Sequence, residues 1–238
     1  MKNQYFGDKR DYFKYAVLEL LMRRHPGFRQ LTCVWMLTPN YANTDGNKPF
    51  RVLPGRETLA NFLSDCRGRG ARDIRELRQY FNAVGIRYLP YRDDPQDLLS
   101  TVNRSTYFAA VPSAALTDSL VFFDPDNGLA PAGGAKPAHV RPEELRSVFE
   151  RMNSGSATVV YQHLPRVAAA VFWPRVARTM AAILTTPVAA IAEADVALLV
   201  AAKRPADFDA LVQTLEIHQM VATEAGHKVT VHRQESWS

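Results

Sequence analysis

Cysteine is scarce in this 238-residue sequence: Cys33 and Cys66 are the only two, in no C-x-x-C spacing and beside no histidine cluster. A disulfide framework and a structural zinc site are therefore not expected, and a reducing compartment fits. Long apolar runs are missing as well. The most apolar stretch, residues 167–184, is interrupted by Pro174, Arg175 and Arg178, which disfavours a bilayer-spanning helix. The opening MKNQYFGDKRDYFKY is charged and aromatic with no apolar centre, so no signal peptide is expected and the cytoplasm is the expected location. No G-x-G-x-x-G, Walker, H-x-x-H or H-E-x-x-H spacing occurs, which leaves dinucleotide, P-loop and zincin chemistry without support. Internal repeats are absent too, against a solenoid or a propeller.

What is present is ordinary globular composition. Hydrophobic residues at 47% and charged residues at 22% exclude wholesale disorder and collagen-like architecture, and the length suffices to bury the core of one α/β domain. Lysine and arginine number 29 against 24 acids, a net charge of +5. That balance admits RNA or DNA as a partner without requiring one.

The apolar pattern alternates between helix and strand periods. Phe13, Val17, Leu20 and Leu21 predict a helix over residues 11–25, ended by Pro26 and Gly27. Residues 30–37 read as a buried strand that runs into the polar loop TPNYANTDGN at 38–47. Helical patterns follow at 56–67 and 71–84, then a strand at 86–91 and a short helix at 95–102. Residues 54–105 are accordingly read as a helical insert or cap within a single domain spanning 1–238. In SLVFFDPDNG, residues 119–128, an apolar run suited to a doubly buried strand stops abruptly at Asp124. A helix over 141–152 with Pro142 in its first turn, a strand at 157–161, a helical region to 184, a strand at 196–202, a helix at 206–225 and a strand at 228–231 complete the chain. Strands alternating with helices predict a Rossmann-like α/β domain with a mostly parallel, two-faced sheet.

Ligands in such sheets bind beyond the carboxyl ends of the strands. Three strand ends here carry dense polar chemistry: 38–47, 124–128 and 162–166. Asp124-Pro125-Asp126-Asn127-Gly128 is either a plain turn, since these are common turn formers, or a site for a substrate amine, a cofactor or a metal. His163, beside Gln162 and near Arg166, is either a proton carrier or ligand or a satisfied hydrogen-bonding residue. The arginines at 67, 69, 72, 75, 78 and 87, with Tyr80, Tyr88 and Tyr91, could follow a phosphate backbone. Interleaved Asp65, Asp73 and Glu76 favour a solvated charged face instead.

The blocks NQYFGDKRDYFKYAVLELL, WMLTP with DGN, FFDPDNGL and VVYQHLPR resemble an uncharacterised bacterial family that shares all four, over roughly residues 3–166. That family in turn distantly resembles the class I methyltransferases that modify an adenine amino group of large-subunit ribosomal RNA, and the three-Cys-motif partner proteins. Gly7, Asp11 and Lys14 match the polar tail and first-helix head of those enzymes, and Asp124-Pro125-Asp126-Asn127 falls at their D-P-P-Y tetrapeptide. The resemblance implies a methyltransferase-type sheet and S-adenosylmethionine as cofactor. It assigns the amine to Asp124, site closure to Lys14 and Tyr5, and the cofactor border to Thr38, Asp45 and Gly46. Asp126, Asn127 and His163 join the catalytic set, with Gln162 and Arg166 as substrate contacts. Asp126 replaces the second proline and Asn127 the aromatic, so the stacking platform is missing from the tetrapeptide itself.

Three functions are therefore expected to compete. They are methyl transfer to an amino group of a nucleic-acid base, metal-dependent nucleic-acid cleavage through Asp124, Asp126 and His163, and a catalytically silent binding module on the same fold.

Overall fold

The computed structural model of the protein describes residues 2–40, 46, 48–100, 102–131, 134 and 136–233. Helix α1 (Lys9–Arg24) begins where the Asp8 side chain accepts hydrogen bonds from the backbone N–H groups of Arg10 and Asp11, a side-chain cap on otherwise orphaned donors. It is followed by β1 (Gln30–Trp35), α2 (Glu57–Gly68), α3 (Leu77–Ala83), β2 (Tyr88–Tyr91), α4 (Arg104–Ala109) and β3 (Ser119–Asp124). Then come β4 (Gly128–Leu129), β5 (His139–Val140), α5 (Pro142–Arg151), β6 (Ala157–His163), α6 (Ala169–Leu184), β7 (Ala189–Glu193), β8 (Val196–Ala202), α7 (Pro205–Glu224) and β9 (Val229–Arg233).

Seven strands form one sheet in the order β2-β1-β3-β6-β8-β7-β9, and β4 and β5 form a small second one. The first four are mutually parallel. β8 then runs antiparallel to β6, β7 to β8 and β9 to β7, so only β8 and β9 oppose the rest. The result is a Rossmann-like, mostly parallel α/β sheet. Successive residues of each central strand enter different cores: Cys33, Trp35, Leu120 and Phe122 pack with α1, α2, α3 and α7, whereas Val34, Val121 and Phe123 pack with α4, α5 and α6. Helices on both faces explain why β1 and β3 are buried along their whole length.

Residues 54–105 do not stand off the sheet as a cap. Leu59, Leu63, Ile74, Leu77 and Phe81 share a core with α1, and β2 is the edge strand beside β1. The segment is a crossover, because its apolar positions need the sheet's own face to be buried. Its second helix starts later than the pattern suggests: the Asp73 side chain caps a 3-10 turn over Ile74–Glu76 before α3 begins. Residues 95–100 form no helix. There Ser100 and Asn103 exchange side-chain to backbone hydrogen bonds, the local competition that withdraws such residues from helices, and α4 starts at Arg104. Strand β7, alanine-rich and unforeseen, exists because β8 and β9 pair with both its edges. Among the described residues no helix is long and apolar enough to cross a membrane.

Candidate functional site at the strand tips

The chain leaves β1 toward β2 on one side while β3 pairs on its other side, which places a topological switch point at the carboxyl end of β1. A cavity of about 650 Å³ opens there, within the range of small-molecule sites. Thr38 beyond β1, Asp124 at the tip of β3 with Pro125, Asp126 and Asn127 beyond it, and Tyr161 and His163 on β6 all line it. The three polar strand ends thus share one hollow. The rest of the wall comes from the N-terminal segment and α1, through Lys2, Tyr5, Asp8, Arg10, Asp11 and Lys14, and from Pro39, Leu99, Lys136, Pro137 and Ala138.

The innermost group is a buried cluster. Lys14 Nζ donates to Asp124 Oδ2 at 2.9 Å and Oδ1 at 3.2 Å and lies 2.7 Å from Asp11 Oδ1. The placement explains it: one helical turn separates Asp11 from Lys14 on α1, and Asp124 ends β3, whose Leu120 and Phe122 share a core with α1. Gly7 N–H donates to the other Asp11 oxygen at 3.1 Å. Burial works against the Lys14 ammonium, but the charges of Asp11 and Asp124 more than offset it and raise its pKa. Burial pushes the Asp11 carboxyl up to about 7, against the pull of Lys14 and with Asp8 and Asp124 adding to the rise. The Lys14 ammonium also sits 4.9 Å from the centre of the Tyr161 ring, a cation–π contact.

A second cluster closes the side nearer solvent. Lys2 Nζ donates to Thr38 Oγ1 at 2.6 Å, and both Lys2 and Thr38 hydrogen-bond Asp126 Oδ2. Burial alone would raise the Asp126 carboxyl. The positive charge of the N-terminal segment and the hydrogen bonds from Lys2 and Thr38 instead hold it well below the usual carboxylate range. The third cluster links α1 to the β7–β8 turn, where Arg10 pairs with Asp195 and Lys48 lies 3.9 Å away. Beside it, burial and then the charge of Arg10 lower the His163 imidazole, and its Nδ1 is buried with no partner among the described residues.

Of the residues singled out in the sequence, Tyr5, Lys14, Thr38, Asp124, Asp126, Asn127 and His163 line the cavity. Gln162 does not. Its Oε1 accepts from Leu129 N–H at 2.9 Å while its Nε2 donates to the Asn127 and His163 carbonyls at 3.0 and 2.9 Å, so it braces the 124–129 turn from behind. Arg166 is exposed on the loop after β6 and contributes nothing to the lining. Gly46 lies against the N-terminal segment: a Cβ there would stand 2.8 Å from Tyr5 Cα, and its carbonyl accepts from Arg72. It supports Tyr5 rather than bordering the cavity. Asp45 lies outside the described residues.

The arginine-rich stretch behaves as a solvated face: Arg69 pairs with Asp65, Arg75 with Asp73 and Arg78 with Asp93. Tyr80 and Tyr88 are buried and so not offered for stacking. Among the described residues no group of three histidine, cysteine, aspartate or glutamate side chains has a metal-site arrangement, and Asp124 and Asp126 each carry a lysine partner. Sequence reading missed Lys2, Asp8, Arg10 and Asp195 as cavity-wall or supporting residues. Of these only Asp8 carried a local signal, as an acid just ahead of a helix. No protein-family model matches this chain, and no curated protein matches it significantly.

Proposed function

We propose that the cavity is the site of a methyltransferase-like protein that holds an amino group of a nucleic-acid base beside S-adenosylmethionine. One observation carries the reading: a strand-tip carboxylate, Asp124, opens onto a nucleoside-sized hollow at the switch point, together with the Asn127 amide and the Tyr5 ring. A carboxylate accepts hydrogen bonds from an exocyclic amine, and Tyr5 offers the aromatic surface that the tetrapeptide lacks. The lining also fits the cofactor. S-adenosylmethionine bears a carboxylate and two cationic centres, and the wall presents lysines and aspartates in nearly equal number. Lys136 would hold its carboxylate and Asp8 would face its cationic part. Bound there, it supplies an electrophilic methyl group. Lysine partners on Asp124 and Asp126 leave a divalent ion poorly served by comparison, since a dication must compete with two ammonium groups for the same oxygens.

A silent binding module has one observation in its favour, which is that Lys14 already engages the Asp124 carboxylate. Calorimetry with S-adenosylmethionine and S-adenosylhomocysteine separates the readings. Saturable binding of the cofactor, together with transfer of labelled methyl to RNA or DNA that is lost in Asp124→Asn, supports the enzyme. Binding without transfer supports the silent module, and no heat at high ligand concentration overturns both uses of this cofactor.

A further inference from the structure

A second pocket, of about 230 Å³, lies in the groove between α1 and α7 and shares no lining residue with the strand-tip cavity. Its walls are Leu20 on α1, Leu53 and Pro54 on the chain leading into α2, and Ile217 and Val221 on α7. The residue pattern of α7 explains why it opens. Phe208, Leu211, Val212, Leu215 and Ala222 are buried in the core shared with α1 and the sheet, and that is the one apolar stripe a surface helix needs. Ile217, Met220 and Val221 form another, spaced by three and four residues. Each is at least 40% exposed, as is Val52 beside Leu53. Apolar surface gathered around a hollow marks a binding site.

Charge decides what kind of ligand fits. Arg24 and Arg56 line the pocket, and among the described residues no acid does. Glu19, the chain neighbour of Leu20, is engaged by Tyr80, Arg23 and Arg56. Arg24 is exposed and has no ion-pair partner among the described residues. The Arg56 charge is felt inside: after burial and ahead of His227, it helps push the imidazole of His218, another wall residue, down to about 4. His218 is therefore neutral at neutral pH, and its Nε2 is buried with no partner among the described residues. We propose that this pocket binds a small amphiphilic carboxylate, with its apolar body against Leu20, Leu53, Pro54, Ile217 and Val221 and its head toward Arg24 and Arg56. Water takes about 30 Å³ per molecule in the liquid, so the hollow holds about eight non-hydrogen atoms, a medium-length alkyl chain or one aromatic ring with a short arm. Guanidinium groups suit the head because their N–H fork matches the two oxygens of a carboxylate. Nothing in this site depends on methyl transfer in the strand-tip cavity.

Calorimetry and methyl NMR on the full chain test this with octanoate as the probe. Heptanol and heptylammonium carry the same apolar chain without the carboxylate, and hexanoate shortens it. Expected is saturable binding of octanoate at one site that shifts the methyl signals of Ile217 and Val221. Hexanoate, with two methylenes fewer, should bind about fifteenfold more weakly, since each buried methylene contributes about fourfold. Heptanol should bind about two- to fivefold more weakly than octanoate, the range for a solvent-exposed ion pair, and heptylammonium more weakly still. Arg24→Gln should cost octanoate about the same factor and leave heptanol unchanged. Ile217→Glu, at a half-exposed position and with its fold checked by circular dichroism, should abolish octanoate binding. Heptanol or heptylammonium binding as tightly as octanoate overturns the carboxylate assignment. Octanoate binding that persists in Ile217→Glu, or no binding to the wild type, overturns the site. A chain that binds no octanoate and self-associates until Ile217→Glu makes it monomeric overturns it too, and gives the patch to a second copy.

Discussion

A methyl group added at Gly128 tests how the strand-tip turn is held. Gly128 has a φ of +99°, a region where a residue with a Cβ is strained by about 1–3 kcal/mol. The added carbon would also overlap the Gln162 amide, standing 2.6 Å from its Nε2. Gln162 can yield only by leaving three hydrogen bonds, to Leu129 N–H and to the Asn127 and His163 carbonyls. A buried donor left without a partner costs about 1–3 kcal/mol, so Gly128→Ala should destabilise the fold by about 2–6 kcal/mol. In urea denaturation followed by circular dichroism, the midpoint should fall by about 1–2 M. Trimming the obstacle should recover part of the loss: in a Gln162→Ala background the overlap disappears and only the backbone strain remains. The two substitutions should therefore couple by about 1 kcal/mol or more, the double variant being more stable than the sum predicts. Additivity within about 0.5 kcal/mol would refute the claim that Gln162 is what the methyl meets, and with it the role of Gln162 as the brace of Asp124 to Asn127.

Two further substitutions probe the charge clusters. Lys14→Met takes from the buried Asp11 and Asp124 the ammonium they share, a change that costs about 3–5 kcal/mol at neutral pH. The Asp11 carboxyl, which burial already pushes up, then holds its proton in the folded chain at pH values where the unfolded chain has released it. The native state binds more protons, so stability is greatest below the unfolded carboxyl value of about 4 and falls as pH rises toward neutrality; urea midpoints at pH 5 and pH 8 should show the deficit against wild type shrinking at the lower pH, and equal deficits would count against the cluster. Asp126 has the opposite sign. Its depressed carboxyl contributes stability that is present above the unfolded value of about 4 and lost as pH falls through the folded one. The acid limb of unfolding, followed by circular dichroism, should be shallower in Asp126→Asn than in wild type, and superimposable limbs would contradict the Lys2 and Thr38 contacts.

Elements whose burial is complete were legible from residue pattern. The run Leu120 to Phe123 must leave water on both faces, and its stop at Asp124 marks the end of β3 where the structure has it. Strand β7 was not legible, because Ala189 to Ala192 carry little β preference and become a strand only through partners on both edges. Within the site, Thr38, Asp124 and His163 could be named because each directly follows or ends an apolar strand. Gln162 looked equivalent to His163, yet the alternation of a strand turns neighbouring side chains to opposite faces, and Gln162 faces the turn instead of the cavity. Asp195 could not be foreseen, since its pairing with Arg10 spans 185 positions.

What the order of residues determined without help is local: which stretches are apolar enough to be buried on both sides, where proline, glycine and acid end them, and hence an alternating α/β chain with polar tips. Which tips meet, and which charges face each other, was decided only when the sheet closed. Strand order, the antiparallel entry of β8 and β9, and the laying of the N-terminal segment over the switch point brought Lys2 to Asp126 and Lys14 to Asp124. The reason is physical. Burial drives each segment by its own composition, whereas the pairing of charges depends on distances between segments more than a hundred residues apart in the chain, which the packing of helices on both faces of the sheet sets.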